Sequence, residues 1–208
     1  MIKNNFLREI LLIVLTTIIL ALSVSYKNTS IFYWAILSFF IILSLNILTK
    51  RIVGYFFETK VETKFWSTYQ YGFRQDFHFK KPITMAWLPL ILTLITNSIF
   101  WWLAILEFDV AAKSERVSRR HGLYRFTEVT EWHMAWIAIW GITINIATAV
   151  IAYILGFELF TKLSIYYAFW SIIPLSSLDG SKVFFSSKIL WSTIFVILLF
   201  FLGWALIL

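Results

Sequence analysis

Six stretches of this 208-residue chain contain no Asp, Glu, Lys or Arg: Ile10–Tyr26, Asn28–Thr49, Pro82–Leu106, Trp132–Phe157, Leu163–Leu178 and Ile189–Leu208. Four of them reach or exceed the roughly 20 residues that carry a helix across a hydrocarbon core of about 30 Å. The two shorter ones can span by thinning the bilayer or by drawing on flanking residues. A chain that is 60% hydrophobic and 14% charged has more apolar surface than a soluble domain of this length can bury. Lipid-exposed backbone must satisfy its own hydrogen bonds, so the expected fold is an all-α polytopic membrane domain over residues 1–208, with five to six membrane segments. Membrane lipid is its first expected partner.

The first stretch has some features of a signal peptide. Lys3 and Arg8 precede the apolar run, and Ala21-Leu22-Ser23 loosely suits a cleavage site. Five further apolar segments follow, and a retained helix is expected. The chain has no cysteine, which excludes disulfides and thiolate metal sites. The net charge of +7 does not indicate nucleic acid as a partner, because the basic residues flank apolar spans, where positive charge sets orientation.

Two polar segments break the apolar pattern. In Lys50–Lys81, Thr59–Trp66 reads as a strand and Tyr69–Phe79 as its candidate partner, which predicts a small β element at the membrane surface. Glu107–Glu131, with Arg116, Arg119, Arg120 and Arg125, reads as a solvated loop.

Counting Lys and Arg bears on orientation. If all six stretches cross, the two sides hold 10 and 8. If Pro82–Leu106 dips in and returns to the same side, the count becomes 16 against 2, with only Lys27 and Lys162 outside. The charge bias therefore favours a re-entrant segment and a cytoplasmic N-terminus. The 25-residue length of the stretch favours a crossing. Pro89 and Asn97 would help to break such a segment.

Asp179 stands out chemically. It follows one apolar stretch and shortly precedes another, and a carboxylate at the edge of a membrane helix is expected to have a partner. Its surroundings, Ile173-Pro174-Leu175-Ser176-Ser177-Leu178-Asp179-Gly180, resemble the Asn-Leu-Leu-Pro-x-x-x-Leu-Asp-Gly segment of the site-2 proteases, which are intramembrane zinc metalloproteases. Gly141-Ile142-Thr143-Ile144-Asn145 is similar to their Gly-Pro-x-x-Asn helix, with the Pro replaced. Val61–Trp66 is similar to the strand that follows their H-E-x-x-H helix.

The resemblance covers roughly Asn46–Val183 and implies a site-2-protease-like helical core. It places Asp179 at the family's third zinc ligand. It also places Asn46 and Lys50 at the two His ligands and Ile47 at the catalytic Glu. An Ile cannot act as a base, and an ammonium has no lone pair for zinc. The implied protein is a pseudoenzyme with no catalytic residues and no cofactor. It would bind or scaffold transmembrane helices of other proteins, with Lys50, Asp179 and Asn145 as the polar remainder of the site.

Two other readings stand beside this one. An active zinc metalloprotease with a non-standard ligand set would draw on His133 beside Asp179. A small transporter or assembly factor would show inverted repeats, and none is visible. For Lys50 and Asp179, either the two groups pair, or Lys50 snorkels to the headgroups while Asp179 caps the following helix. His78 and His121 read as surface residues. Asn97 and Asn145 read as interhelical hydrogen-bonding amides, and Phe100-Trp101-Trp102 as a packing surface or interfacial belt.

Overall fold

The computed structural model describes residues 2–70, 78–113 and 129–208; the side chains of 2–6, 69, 70 and 78 are not among those described. The chain is mostly helical. Helix α1 (Ile2–Ser25) and helix α2 (Phe32–Phe56) are followed by strands β1 (Thr59–Phe65), β2 (Ser67–Gln70) and β3 (His78–Thr84). Then come α3 (Leu88–Ile95), β4 (Leu106–Ala112), α4 (Glu131–Ile154), α5 (Glu158–Ile172), α6 (Asp179–Ser186) and α7 (Lys188–Ile207). Among the described residues, four helical stretches are long and apolar enough to cross a membrane: Leu7–Ser25, Thr29–Phe56, Glu131–Ile154 and Lys188–Ile207.

The buried positions of α2 are Ala35, Ser38, Phe39, Ile42, Leu43, Asn46, Ile47, Lys50 and Gly54. Their spacing of three and four residues is one helical stripe. Asn46 and Lys50 therefore lie on the same inward face as Phe39 and Leu43. Helix α4 meets this stripe at Gly141, and its small residues Ala135, Ala138 and Ala149 are also buried. Small side chains let membrane helices approach closely and gain dispersion contact. At Gly141 an added Cβ would lie 2.5 Å from Lys50 Cε and 3.2 Å from Asn46 Nδ2, so glycine makes room for both side chains.

Asp179 is the first residue of α6 rather than its cap. Gly180 follows it, and a Cβ there would lie 2.0 Å from the carbonyl oxygen of Ile172, at the end of α5. Only glycine lets α6 turn back against α5 after Pro174. The same Ile172 carbonyl accepts a hydrogen bond from the Trp191 indole of α7 at 2.9 Å.

The β element differs from the sequence expectation. The partner of β1 is β4, antiparallel, with Thr59 opposite Ala112 and Phe65 opposite Leu106. Strands β2 and β3 form a second ribbon, so the described ends of Tyr69–Phe79 pair with each other's segment and not with β1. The loop expected over Glu107–Glu131 begins as β4, with Glu107 buried. Residues 114–128, with His121 and the four loop arginines, lie outside the described residues, as does the His78 side chain.

Pro82–Leu106 is not one long helix. Its only α-helix is the eight-residue α3, about 12 Å long. Asn97 and Ser98 then take positive φ values of 51° and 61° in a turn. Asn97 is exposed there, and it breaks the segment instead of bridging helices. The return leg, Phe100-Trp101-Trp102, packs on α5: Phe100 meets Trp170 edge-on at 5.0 Å, Trp101 meets Tyr166 at 6.1 Å, and Trp102 meets Trp170 at 4.6 Å.

Both ends of the excursion close on one residue. The Met85 N–H donates to the Trp66 carbonyl, and the Trp66 N–H donates to the Ile105 carbonyl, each at 2.9 Å. Residues 86–104 thus leave Trp66 and return to it, with no net displacement across the fold. The expected apolar stretch Leu163–Leu178 likewise divides into the end of α5 and a turn before α6.

This path predicts a labelling result. Single cysteines replacing Lys80 and Lys113, in a chain with none of its own, should react with an impermeant maleimide from the same membrane face. Labelling from opposite faces would show that residues 82–106 cross.

Candidate functional site

The inward stripe of α2 ends at a polar cluster. Lys50 Nζ donates to Asp179 Oδ2 at 2.5 Å, with the two side chains 6% and 3% exposed. Asn46 Nδ2 donates to the Gly141 carbonyl at 2.8 Å. Residues four apart share a helix face, so both polar groups point toward the junction of α4 and α6. The positive end of α6 adds to the field around Asp179, its first residue. Asp179 therefore sits between an ammonium and a helix N-terminus, and Lys50 does not run out to the headgroups. The Ser181 N–H bonds the Leu178 carbonyl rather than the Asp179 side chain.

Three residues not singled out in the sequence complete the cluster. Phe108 of β4 is fully buried, with Lys50 Nζ 4.8 Å and Lys182 Nζ 3.6 Å from its ring centroid. Lys182 also donates to the Phe108 carbonyl. Burial pushes the Lys182 ammonium down to about 8, and the pull of Asp179 opposes this. Glu107, next along β4, accepts a hydrogen bond from Ser177. The signal for β4 was present as the alternation Leu106-Glu107-Phe108-Asp109-Val110.

Other sequence candidates fall elsewhere. Ile47 is buried in the apolar cluster with Phe39 and Leu43. Asn145 is fully buried one turn beyond Gly141, and its amide has no hydrogen-bond partner among the described residues. The interhelical bond at this position uses its backbone carbonyl, which accepts from Ser164 of α5 at 2.8 Å. His133 lies about 12 Å along α4 from Gly141, at 1.5 Å per residue. Its Nδ1 accepts from the Thr130 N–H at 3.3 Å, and its ring meets Phe57 at 5.0 Å. His133 thus belongs to the capping box of α4.

The residues around Asp179 do not fit a zinc ion. They offer one carboxylate, with Oδ2 held by the Lys50 ammonium and Oδ1 without a hydrogen-bond partner among the described residues, and an amide nitrogen already donating. Zinc in proteins takes imidazole, thiolate and carboxylate donors. No group of three or more His, Cys, Asp and Glu suited to a metal occurs among the described residues.

A second feature lies outside the buried cluster. A groove of about 380 Å³ touches residues 59–64 of β1 consecutively, together with Arg8, Glu9, Arg51, Tyr55 and Lys113. Successive strand residues point to opposite faces, so a groove reached by six in a row runs along the strand's edge. The β1–β4 ladder shows which backbone groups face it. The Lys113 N–H donates to the Glu58 carbonyl and the Trp66 N–H to that of Ile105, so even-numbered residues are the hydrogen-bonded pairs. The N–H and C=O groups of Thr59, Val61 and Thr63 point away from β4, and β1 has no second strand neighbour among the described residues.

Compared with protein-family models, with curated proteins and with solved structures, the chain matches none.

The ion pair gives a double-mutant cycle. Asp179→Asn and Lys50→Met should each destabilise the folded protein by about 3–5 kcal/mol, because each leaves a buried charge unpaired. The double variant should regain much of that loss. Additive losses, or a silent Asp179→Asn, would show that the two groups do not depend on each other.

Proposed function

We propose that this protein is a multi-pass membrane protein, N-terminus cytoplasmic, that binds transmembrane segments of other proteins without cleaving them. In this reading it is a site-2-protease-like fold that has lost its hydrolytic chemistry. The observation that carries the binding role is the outer edge of β1, which has no second strand neighbour among the described residues. The strand's outward N–H and C=O groups, half-buried at Thr63 and buried at Thr59 and Val61, line a groove at the cytoplasmic ends of α1 and α2, where the flank of a partner's transmembrane helix would emerge. An extended flank adds to such an edge through main-chain hydrogen bonds.

The orientation rests on the charge count of 16 against 2 combined with the excursion that closes on Trp66. The kinship is supported by the junction of Asn46, Lys50, Gly141 and Asp179, which lie at the family's motif positions and meet in space. The absence of cleavage follows from the groups present. Where hydrolysis needs a base there is Ile47, and where it needs a Lewis acid there is an ammonium held by Asp179. Lipid covers the outside: Ile189, Val196, Phe200, Leu206 and Ile207 of α7 are all strongly exposed.

The binding role is tested by proline substitution. Proline is tolerated in an edge strand where its missing N–H faces outward. Thr63→Pro should leave thermal unfolding close to wild type. It should abolish photo-crosslinking between β1 and a reconstituted transmembrane peptide with an extended flank, and that peptide should be recovered at full length. Glu62→Pro removes a β1–β4 bond and should cost about 1–3 kcal/mol. Undiminished crosslinking in Thr63→Pro, or a shortened peptide, would contradict the proposal.

The kinship has a separate test. The triple variant Asn46→His, Ile47→Glu, Lys50→His should bind one zinc per chain, dependent on Asp179. Failure of the folded variant to retain zinc would argue for an unrelated ancestry.

A further inference from the structure

The β1 groove is lined by five cationic side chains, Arg8, Arg51, Lys60, Lys64 and Lys113, against the two carboxylates Glu9 and Glu62, a formal +3. Three of the cations are met within the protein: Arg51 by Glu9, Lys60 by Glu62 at 2.5 Å, and Lys64 by Asp109. Arg8 is exposed and forms no ion pair among the described residues. Lys113 lies 4.3 Å from the centroid of the Tyr55 ring and also meets no carboxylate among them. An exposed acid in this groove already responds to the excess. Glu62 is held below the usual carboxylate range by Lys60 first, with Lys64 and Arg8 adding to the effect.

Resting on the docking role proposed above, we infer that the segment taken at β1 is acidic, with Asp or Glu at positions four apart in an extended chain, opposite Lys60 and Lys64, and an uncharged residue opposite Glu62. The spacing follows from geometry. Lys60, Glu62 and Lys64 project from one face of the strand, and side chains directly opposite on an added strand lie about 5 Å from them on that same face, so an acid suits the two lysine positions and is repelled at Glu62. The outward backbone groups separate a peptide from a lipid headgroup. A phosphate can accept from the outward N–H of the half-buried Thr63, but it has no donor for that residue's carbonyl. An extended chain supplies donors and acceptors together, at the two-residue repeat of the edge.

The test uses the full chain in phosphatidylcholine nanodiscs and a labelled peptide, Thr-Glu-Val-Thr-Val-Glu-Thr, compared with its counterpart carrying Gln at each Glu. The acidic peptide should bind about ten-fold more tightly at low salt, and the gap should close as salt screens the groove. Arg8→Gln, on an exposed side chain, should narrow the gap without altering thermal unfolding, and adding Lys113→Gln should narrow it further. Thr63→Pro should abolish binding of both peptides.

Equal binding of the two peptides, lost together in Thr63→Pro, would overturn the charge inference and leave the docking role standing. Binding of neither would overturn both. Acidic-peptide binding that survives Thr63→Pro and is displaced by phosphatidylglycerol vesicles would identify an anionic headgroup site and overturn the inference.

Discussion

The ion pair between Lys50 and Asp179 is the interaction on which the rest of the interior depends. It joins the second long helix to a short one 129 residues later in the chain. Each charge is buried, and neither would be tolerated there alone. Around the pair the packing is made of concessions to it. Gly141 clears the space for the Lys50 stem, Gly180 brings α6 against α5, and Phe108 offers its ring to Lys50 and Lys182. A buried pair of this kind adds little net stability over an apolar core. What it contributes is register, because α2, α4 and α6 must meet at one height for both charges to be satisfied.

Trp66 links that interior to the surface. It closes the excursion of residues 86–104 through its backbone, and its ring stacks on Trp102 at 6.0 Å. It also ends β1. Strand β4, which begins where the excursion returns, carries Phe108 into the buried cluster and pairs β1 on its inner edge. The outer edge of β1, which has no second strand neighbour among the described residues, and the Lys50–Asp179 pair are therefore fixed relative to each other through one strand. Displacing β4 would disturb both.

Much of this was legible in the sequence, for identifiable reasons. The uncharged runs marked α1, α2, α4 and α7 because crossing a bilayer is a requirement on length and composition together. Asn46 and Lys50 were legible as one face because their spacing is a helical turn. The strand at Thr59–Trp66 was visible in its alternation, but its partner was not. Pairing is a tertiary choice, and the nearer candidate lost to Leu106–Ala112, which the excursion brings back beside it. Strand β4 was overlooked because charge made it look solvated, although Glu107 is buried and held by Ser177. Lys182 was counted as a flanking charge, yet Gly180 folds α6 inward and brings it over Phe108. His133 and Asn145 were read for side-chain chemistry. The structure uses one as a helix cap and places the other's carbonyl under Ser164.

The most direct measurement is a solid-state NMR contact between the Lys50 15Nζ and the Asp179 13Cγ in bilayer-reconstituted protein. The account predicts a strong dipolar cross-peak between an ammonium nitrogen and an ionised carboxylate, lost in Lys50→Met. A Lys50 nitrogen in contact with lipid phosphate instead, with no transfer to Asp179, would contradict it.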